Sequence, residues 1–147
     1  KNILLNLDIE DHYPKTNCDK ELISQVLGIL LDNAISYSSP GQTIEMGAKV
    51  LPQKLAFFVI DHGPGIADAE KEKVFERFYS GDPSRTDKGQ YGLGLSIAQE
   101  IVRLHHGTIR LTDTLDGGCT FEICLPIEKR LANTKQKSTK TALMSQR

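Results

Sequence analysis

The sequence lacks the features that mark several large classes of protein. No hydrophobic run approaches the roughly 20 residues that span a bilayer, and no stretch is typical of a secretory signal peptide. The cysteines have no metal-type spacing and cannot all pair with one another, so we expect free thiols in a reducing compartment. These cysteines are Cys18, Cys119 and Cys124. A membrane span, a disulfide scaffold and a zinc site are therefore not predicted.

Neither sign of charge dominates overall, but two parts of the chain differ. The 147 residues carry a net charge of −1, and residues 129–147 contain six basic and no acidic side chains. The other 128 residues therefore carry −7. Such an acidic body argues against nucleic acid as a partner. The basic segment lacks apolar periodicity, so we expect residues 1–127 to form one domain and residues 128–147 a disordered tail.

Apolar periodicity predicts the element order β-α-β-β-α-α-β-β. The predicted strands are residues 3–8, 43–50, 55–60, 108–112 and 119–125, and the predicted helices are residues 19–38, 68–73 and 92–106. Strands in hairpin pairs, with helices between them, predict an α/β (α+β) two-layer sandwich. We expect a mixed, mostly antiparallel sheet of about five strands, with 3–8 at an edge and about three helices on one face. The strand pattern starts at the first residue, so we expect an excised part of a longer protein.

A short turn, Asp61-His-Gly-Pro-Gly-Ile66, directly follows the apolar run 55–60. A carboxylate at the end of a buried strand can accept hydrogen bonds from an exocyclic amine. The two residues without Cβ, Gly63 and Gly65, let a planar ring lie close to the backbone. The motif predicts an adenine pocket, and a plain turn is the alternative.

One polar residue interrupts the apolar stripe of the first long helix. Asn33 lies four residues after Ile29 and four before Tyr37, so the three share one face. An amide in that position needs a partner. Either it bonds neighbouring backbone, or its oxygen binds Mg²⁺, which takes oxygen ligands and keeps waters and phosphates. The predicted stripe consists of Leu22, Val26, Ile29, Leu30, Asn33 and Tyr37.

The segment from Arg85 to Leu95 is rich in glycine and leads into the second long helix. Helix N-termini bind anions through free N–H groups and the helix dipole, and Gly92 and Gly94 would let phosphate approach the backbone. The spacing matches neither a Rossmann fingerprint nor a Walker A loop. A glycine-rich linker is the alternative.

The histidines do not form a predicted metal or catalytic site. His105 and His106 are adjacent near a helix end, where side chains point about 100° apart, a poor geometry for holding one metal ion. His62 lies in the predicted turn. No serine or cysteine has a base at a recognisable spacing, so a covalent nucleophile is not predicted.

Five segments in this order resemble the catalytic, ATP-binding domain of bacterial sensor histidine kinases. These kinases belong to the ATPase superfamily shared with gyrase B, the Hsp90 chaperone and MutL. The resemblance covers about residues 1–127. The matching segments are residues 30–34 (LLDNA, N box), 61–65 (DHGPG, G1 box), 74–79 (VFERFY, F box), 92–97 (GLGLSI, G2 box), and 117–121 (GGCTF) with 125–126 (LP, closing strand).

The resemblance implies that ATP lies between the helices under a mobile lid spanning about residues 78–91. Asn33 would hold Mg²⁺, and Tyr37 would flank the adenine. Asp61 would accept from the adenine amine, with Gly63 and Gly65 beneath the ring. The other residues of the implied nucleotide site are Ile66 and Phe78, Arg85 in the lid, Tyr91, the three phosphate-facing residues Gly92, Leu93 and Gly94, and Thr120, which would support the adenine end.

Five positions depart from the family pattern. Ile29 stands where these kinases usually have a second asparagine, and Ser36 stands where a basic residue is common. The other departures are Ser80, Gln90 and Tyr91. Each removes a possible contact to metal or phosphate, so the sequence predicts a weakened phosphate end and an intact adenine end.

The function implied by the resemblance is Mg²⁺-ATP binding and transfer of the γ-phosphate to a histidine. That histidine would lie on a separate dimerisation and phosphoacceptor domain, and its phosphoryl group would then pass to a response regulator. This chain alone is expected to be monomeric, to bind ATP or ADP and not to autophosphorylate. The parent is expected to be a homodimeric, membrane-bound sensor with this domain in the cytoplasm.

Two alternatives remain at this stage. The five departures leave room for a nucleotide-binding module with little or no transfer activity. An ATP-hydrolysing clamp is the second alternative, but its water-activating carboxylate would stand at Ile29, which counts against it.

Overall fold

The fold is seen in a computed structural model that describes residues 2–79 and 93–127. The described elements are β1 (Leu4–Asp8), α1 (Lys20–Tyr37), β2 (Thr43–Leu51), β3 (Lys54–Ile60), α2 (Gly94–Leu104), β4 (Thr108–Asp113) and β5 (Cys119–Pro126). The predicted short polar helix consists instead of two single 3₁₀ turns, Asp68–Glu70 and Lys73–Phe75. Val74 is the one buried residue of these turns, so little apolar burial is available to stabilise a longer helix.

The five strands form one sheet in the order β1-β2-β3-β5-β4. β1 pairs with β2 in parallel, and the other three pairings are antiparallel. All five residues of β1 are exposed at the sheet edge. The predicted mixed, mostly antiparallel sheet and its edge strand are therefore confirmed.

Both helices cover the same face of the sheet and enclose one core. Val26 and Leu30 of α1, Val102 of α2, and Phe121 and Ile123 of β5 are almost completely buried and belong to a single apolar cluster. Burial of this apolar surface is the main stabilising term of the fold. The α/β two-layer sandwich expected from the sequence is thus confirmed.

The helix α1 begins where the sequence predicts, but its buried stripe is displaced. Asp19 caps the helix, since its Oδ1 accepts hydrogen bonds from the N–H groups of Glu21 at 3.0 Å and Leu22 at 3.1 Å. The line of Asn33 and Tyr37 is only half-buried. It lies beside the core, where a ligand can reach it. The buried residues of α1 are Ile23, Val26, Leu30 and Ala34.

The helix α2 ends earlier than predicted, at Leu104. The chain leaves the helix through His106 in the left-handed region, at φ 60°. His105 joins the two helices, because its Nε2 accepts from the Asp19 N–H at 3.0 Å while its Nδ1 lies 2.8 Å from the Ile101 carbonyl oxygen. The buried residues of α2 are Ala98, Ile101 and Val102, whereas Ile97 and Leu104 are exposed.

Candidate functional site

Asp61 is a buried carboxylate with one oxygen held by the fold. The residue is 3% exposed and follows β3 directly. Its Oδ1 accepts hydrogen bonds from the N–H groups of Gly63 at 3.0 Å and Cys119 at 3.1 Å. Within the described residues Oδ2 accepts none, so it is available to a ligand donor such as an amine.

The environment of Asp61 shifts its proton affinity upward. Burial raises the pKa of the Asp61 carboxyl above its usual value, although the N–H groups of Gly63 and Cys119 counteract part of that rise. Adding a donor to Oδ2 would stabilise the ionised form further. The carboxylate is therefore arranged to gain from a ligand that donates a hydrogen bond.

The 61–65 turn is pressed between α1 and the β4–β5 turn. A Cβ atom at Gly63 would lie 2.5 Å from the Tyr37 carbonyl oxygen, and one at Gly118 would lie 2.1 Å from the Asp61 carbonyl oxygen. Neither position accepts a side chain without backbone movement. The glycines thus fix the turn against both neighbours.

Three side chains from outside the turn hold its backbone carbonyl groups. Thr114 Oγ1 donates to the Asp61 carbonyl oxygen at 3.0 Å, and Gln42 Nε2 donates to the His62 carbonyl oxygen at 2.9 Å. Lys71 Nζ donates to the Ile66 oxygen at 2.9 Å. Three carbonyl groups of the 61–66 turn, including the first and the last, are therefore held by side chains.

Strand alternation places Cys119, rather than Thr120, beside the Asp61 carboxylate. Cys119 is buried, and burial together with the nearby Asp61 raises the pKa of its thiol to about 12. It is therefore neutral and unreactive at physiological pH. Thr120 Oγ1 lies 3.0 Å from Thr114 Oγ1, so Thr120 supports the turn through Thr114. Sequence reasoning missed Cys119, because its place opposite Asp61 depends on the register between β3 and β5.

One face of α1 connects the turn to the start of α2. A Cβ atom at Gly94 would lie 3.3 Å from Ile29 Cγ2, while the Tyr37 carbonyl contacts Gly63. Asn33 lies one helical turn from each, between the two contacts. It is half-buried, and its amide makes no hydrogen bond to another described residue. The amide is therefore free to bind a ligand or a hydrated metal ion.

The beginning of α2 has no side-chain cap. Leu93 is the N-cap residue, and no side-chain hydrogen bond is made there. Its carbonyl oxygen accepts from the Ile97 N–H at 2.9 Å. The N–H groups of the first turn have no helical partner and attract anions. The phosphate-binding role of Leu93 and Gly94 stays a prediction.

Phe78 is not enclosed by the described part of the site. It is 68% exposed, and its ring centroid lies 5.6 Å from the guanidinium carbon of Arg77. Its role toward a nucleotide stays a prediction. Several further expectations concern residues outside the described ranges: Ser80, Arg85, Gln90, Tyr91, Gly92, most of the expected lid, and the tail 128–147.

Neither a metal cluster nor a membrane-spanning helix is present in residues 2–79 and 93–127. No group of three or more His, Cys, Asp or Glu side chains is arranged to hold a metal ion there. None of the helices in these ranges is both long and apolar enough to cross a bilayer.

Comparison with protein families gives the same assignment as the site. The family model described as "Histidine kinase-, DNA gyrase B-, and HSP90-like ATPase" matches residues 18–129. The chain belongs to this family. Membership confirms the expected nucleotide-binding domain. The relatives and solved structures described next confirm its identity as the catalytic domain of a sensor histidine kinase.

Relatives of known sequence and structure agree with this assignment. The adaptive-response sensory kinase SasA of Nostoc sp. strain PCC 7120 is 40% identical over 121 residues, which cover 82% of this chain and 30% of that kinase. The sensor histidine kinase SpaK of Bacillus subtilis is 34% identical over 127 residues, which cover 86% and 28%. The chain therefore spans about 30% of the length of these relatives.

Solved structures show the same architecture. The catalytic domain of histidine kinase ThkA superposes with a TM-score of 0.75 at 28% identity, covering 86% of this chain and 80% of that one. The mycobacterial sensor histidine kinase MprB superposes with a TM-score of 0.71 at 26% identity, covering 88% and 85%. The sandwich described above is thus the fold of histidine kinase catalytic domains.

Proposed function

We propose that this domain binds Mg²⁺-ATP and donates the γ-phosphate to a histidine on a separate helical domain of the same protein. The observation that carries the proposal is the buried Asp61 carboxylate. Its Oδ1 is fixed by two backbone N–H groups, and its Oδ2 is left for a ligand amine. This acceptor lies at one end of a path that runs along α1 to the uncapped start of α2.

The adenine would be recognised at the rigid end of this path. Asp61 Oδ2 would accept a hydrogen bond from the exocyclic amine, and the Gly63–Gly65 backbone would lie against the ring. Ile66 and Tyr37 would provide apolar contact. Because the turn is already held by three side chains, little ordering is needed when the base binds.

The phosphates would be held at the other end. The N–H groups of Leu93 and Gly94 would bind phosphate oxygens, helped by the dipole of α2. The neutral amide oxygen of Asn33 fits Mg²⁺, which takes few protein ligands when phosphates and waters complete its shell. When bound, the ion supplies charge neutralisation at the transferred phosphoryl group.

The contribution of this chain to transfer is positioning. The domain orients the γ-phosphate for in-line attack by a histidine that another domain carries, and phosphoryl transfer depends mainly on such alignment and on charge stabilisation. The same proposal includes an acceptor domain in the parent protein and a downstream response regulator. It also includes a homodimeric, membrane-bound parent with this domain in the cytoplasm. Relatives more than three times as long leave room for these parts.

The proposal is tested by mixing this domain with the helical acceptor domain of its parent and radiolabelled ATP. We expect Mg²⁺-dependent, acid-labile labelling of a histidine, and its loss in Asp61→Asn. The matched control is Asp116→Asn, which makes the same chemical change in the exposed β4–β5 turn, at φ 72°, a conformation that asparagine tolerates. ATP binding without any phosphohistidine would refute the transfer reaction.

A further inference from the structure

Lys71 makes three polar contacts at the back of the 61–66 turn. Its Nζ donates to the Ile66 carbonyl oxygen at 2.9 Å and lies 2.6 Å from Asp68 Oδ1 and 2.9 Å from Asp113 Oδ1. These partners belong to the turn, to the following 3₁₀ helix and to the end of β4. A single ammonium group therefore ties three segments together.

The side chain of Lys71 is held in place rather than solvated. It is 17% exposed, in contrast to its neighbour Lys73, which is 55% exposed and reaches its partner Glu70 only at 3.9 Å. The two carboxylates raise the pKa of Lys71, so it carries its charge throughout the physiological range. Bonds from a charged donor are about twice as strong as neutral ones.

An open hollow borders this side of the turn. It has a volume of about 390 Å³ and is lined by the Pro64–Ala67 segment on one side and by Asp113, Thr114 and the glycines of the β4–β5 turn on the other. Among the described residues, the Lys71 ammonium provides the side-chain bond that holds the Ile66 backbone, and its contact with Asp113 spans the two walls of the hollow.

The position of Ile66 links Lys71 to the ligand site. The Ile66 carbonyl points to Lys71, while the Ile66 side chain is half-buried and packs at the edge of the core. Fixing the carbonyl therefore fixes the direction of the apolar side chain. Asp61, five residues earlier, begins the same turn.

We propose that Lys71 is a positioning residue for the base-binding wall of the nucleotide pocket. It acts through the Ile66 carbonyl and Asp113 and does not itself touch the nucleotide. The inference rests on the proposed function, since it assigns the adenine to the 61–66 turn. It differs from a phosphate-binding role, in which the lysine charge would meet the nucleotide directly.

The test compares affinities for ADP and for adenosine in Lys71→Met, measured by calorimetry on the full chain. We expect both affinities to fall by the same factor, roughly tenfold, which corresponds to about 1.4 kcal/mol. A lysine that bound phosphate would instead lower the affinity for ADP and spare adenosine. Thermal unfolding of the free proteins, recorded in parallel, separates loss of fold from loss of affinity.

Matched variants make the outcome specific. Lys73→Met removes a neighbouring exposed ammonium and is expected to leave both affinities unchanged. Lys71→Arg keeps a charged donor and is expected to restore part of the loss. If Lys71→Met does not fold, Asp113→Asn is the deciding variant, because it leaves the bond from Lys71 to the Ile66 carbonyl in place. We expect it to lower adenosine affinity about twofold to threefold, less than the tenfold loss expected for Lys71→Met.

Three results would overturn the inference. These are unchanged binding in folded Lys71→Met, a loss confined to ADP, and, where Asp113→Asn is the deciding variant, unchanged adenosine affinity. Failure of the unsubstituted chain to bind ADP at millimolar concentration would instead refute the proposed function. Wild-type binding with an unaffected Lys71→Met refutes the positioning role alone.

Discussion

The two ends of the candidate site are built differently. At the proposed adenine end, Asp61 Oδ1 and three carbonyl oxygens of the turn are bonded within the protein, and Oδ2 accepts no hydrogen bond from a described residue. At the phosphate end, the Asn33 amide and the first N–H groups of α2 have no partner among the described residues. Among the described residues, the first end is bonded before a ligand arrives, whereas the second has groups left for a ligand.

Under the proposed function, this difference separates recognition from catalysis. A preorganised turn would select the base at low entropic cost. Groups that only the ligand satisfies respond to the charge of what is bound, as a phosphoryl-transfer site requires. The departure at Ile29 lies at the incomplete end, where its side chain contacts Gly94. Substitutions at the two ends should therefore have different effects.

The largest effect is expected for Asp61→Asn. The asparagine Oδ1 can still accept from Gly63 and Cys119, but its NH₂ group would face the adenine amine, donor against donor. We expect nucleotide affinity to fall at least ~100-fold, about 2.7 kcal/mol, while the melting temperature is unchanged or higher. Calorimetry with ADP and thermal unfolding would check both. Retained affinity would refute the adenine assignment.

A pH titration should separate the stability and the affinity that Asp61 controls. The pKa of Asp61 is raised in the folded state, so ionising its carboxyl group costs stability. The contribution of Asp61 to the free energy of unfolding therefore falls as pH rises from the usual Asp pKa through the folded-state pKa. Affinity for ADP should change in the opposite direction and be lost as pH falls through that raised pKa.

The measurement is ADP affinity and denaturant unfolding from about pH 7 down to about pH 4, the usual pKa of an Asp carboxyl group. Asp61→Asn serves as the reference, because it removes the titrating group from both properties. Identical pH profiles for the unsubstituted chain and Asp61→Asn would contradict the assignment of Asp61.

A moderate effect is expected for Ile29→Asn at the incomplete end. This residue faces the start of α2 one turn before Asn33, so an amide there adds an oxygen ligand near metal and phosphate. We expect ADP affinity in Mg²⁺ to rise severalfold, roughly 1 kcal/mol, with little change in EDTA. Ile29→Val, which adds no polar group, is the control. An unchanged dependence on Mg²⁺ would indicate that Ile29 lies away from the metal.

The smallest effect is expected for Thr114→Val. This change removes the hydroxyl that donates to the Asp61 carbonyl and meets Thr120. We expect a loss of about 1 kcal/mol in the free energy of unfolding, with adenosine affinity reduced less than by Lys71→Met. Thr112→Val, on the exposed part of β4, is the matched control. An equal effect of both changes would show that the bond to Asp61 does not hold the turn.

The fold and the turn that begins at the Asp61 carboxylate could be predicted because their signals are local. The apolar run before Asp61, the Asp19 cap and the edge strand each depend on neighbouring residues. The remaining features depend on tertiary register. Cys119 rather than Thr120 meets Asp61 because of the β3–β5 pairing, Ile60 to Thr120, and Lys71 reaches Asp113 from 42 positions away.

The displaced stripe of α1 has a similar cause. Helical periodicity placed Asn33 and Tyr37 on the apolar face, but the sheet and α2 decide which part of that face is covered. Ala34, a small residue with a weak apolar signal, is the one buried at that level. Asn33 is left at the edge of the core, where the candidate site needs it.

The most direct test of the central claim is the affinity of this domain for ADP compared with inosine diphosphate. The two ligands share phosphates and ribose and differ at the group that would meet Asp61 Oδ2, an amine in one and a carbonyl oxygen in the other. We predict that ADP binds at least ~100-fold more tightly, and that Asp61→Asn lowers or reverses this preference. Equal affinity for the two nucleotides would contradict recognition of adenine by Asp61.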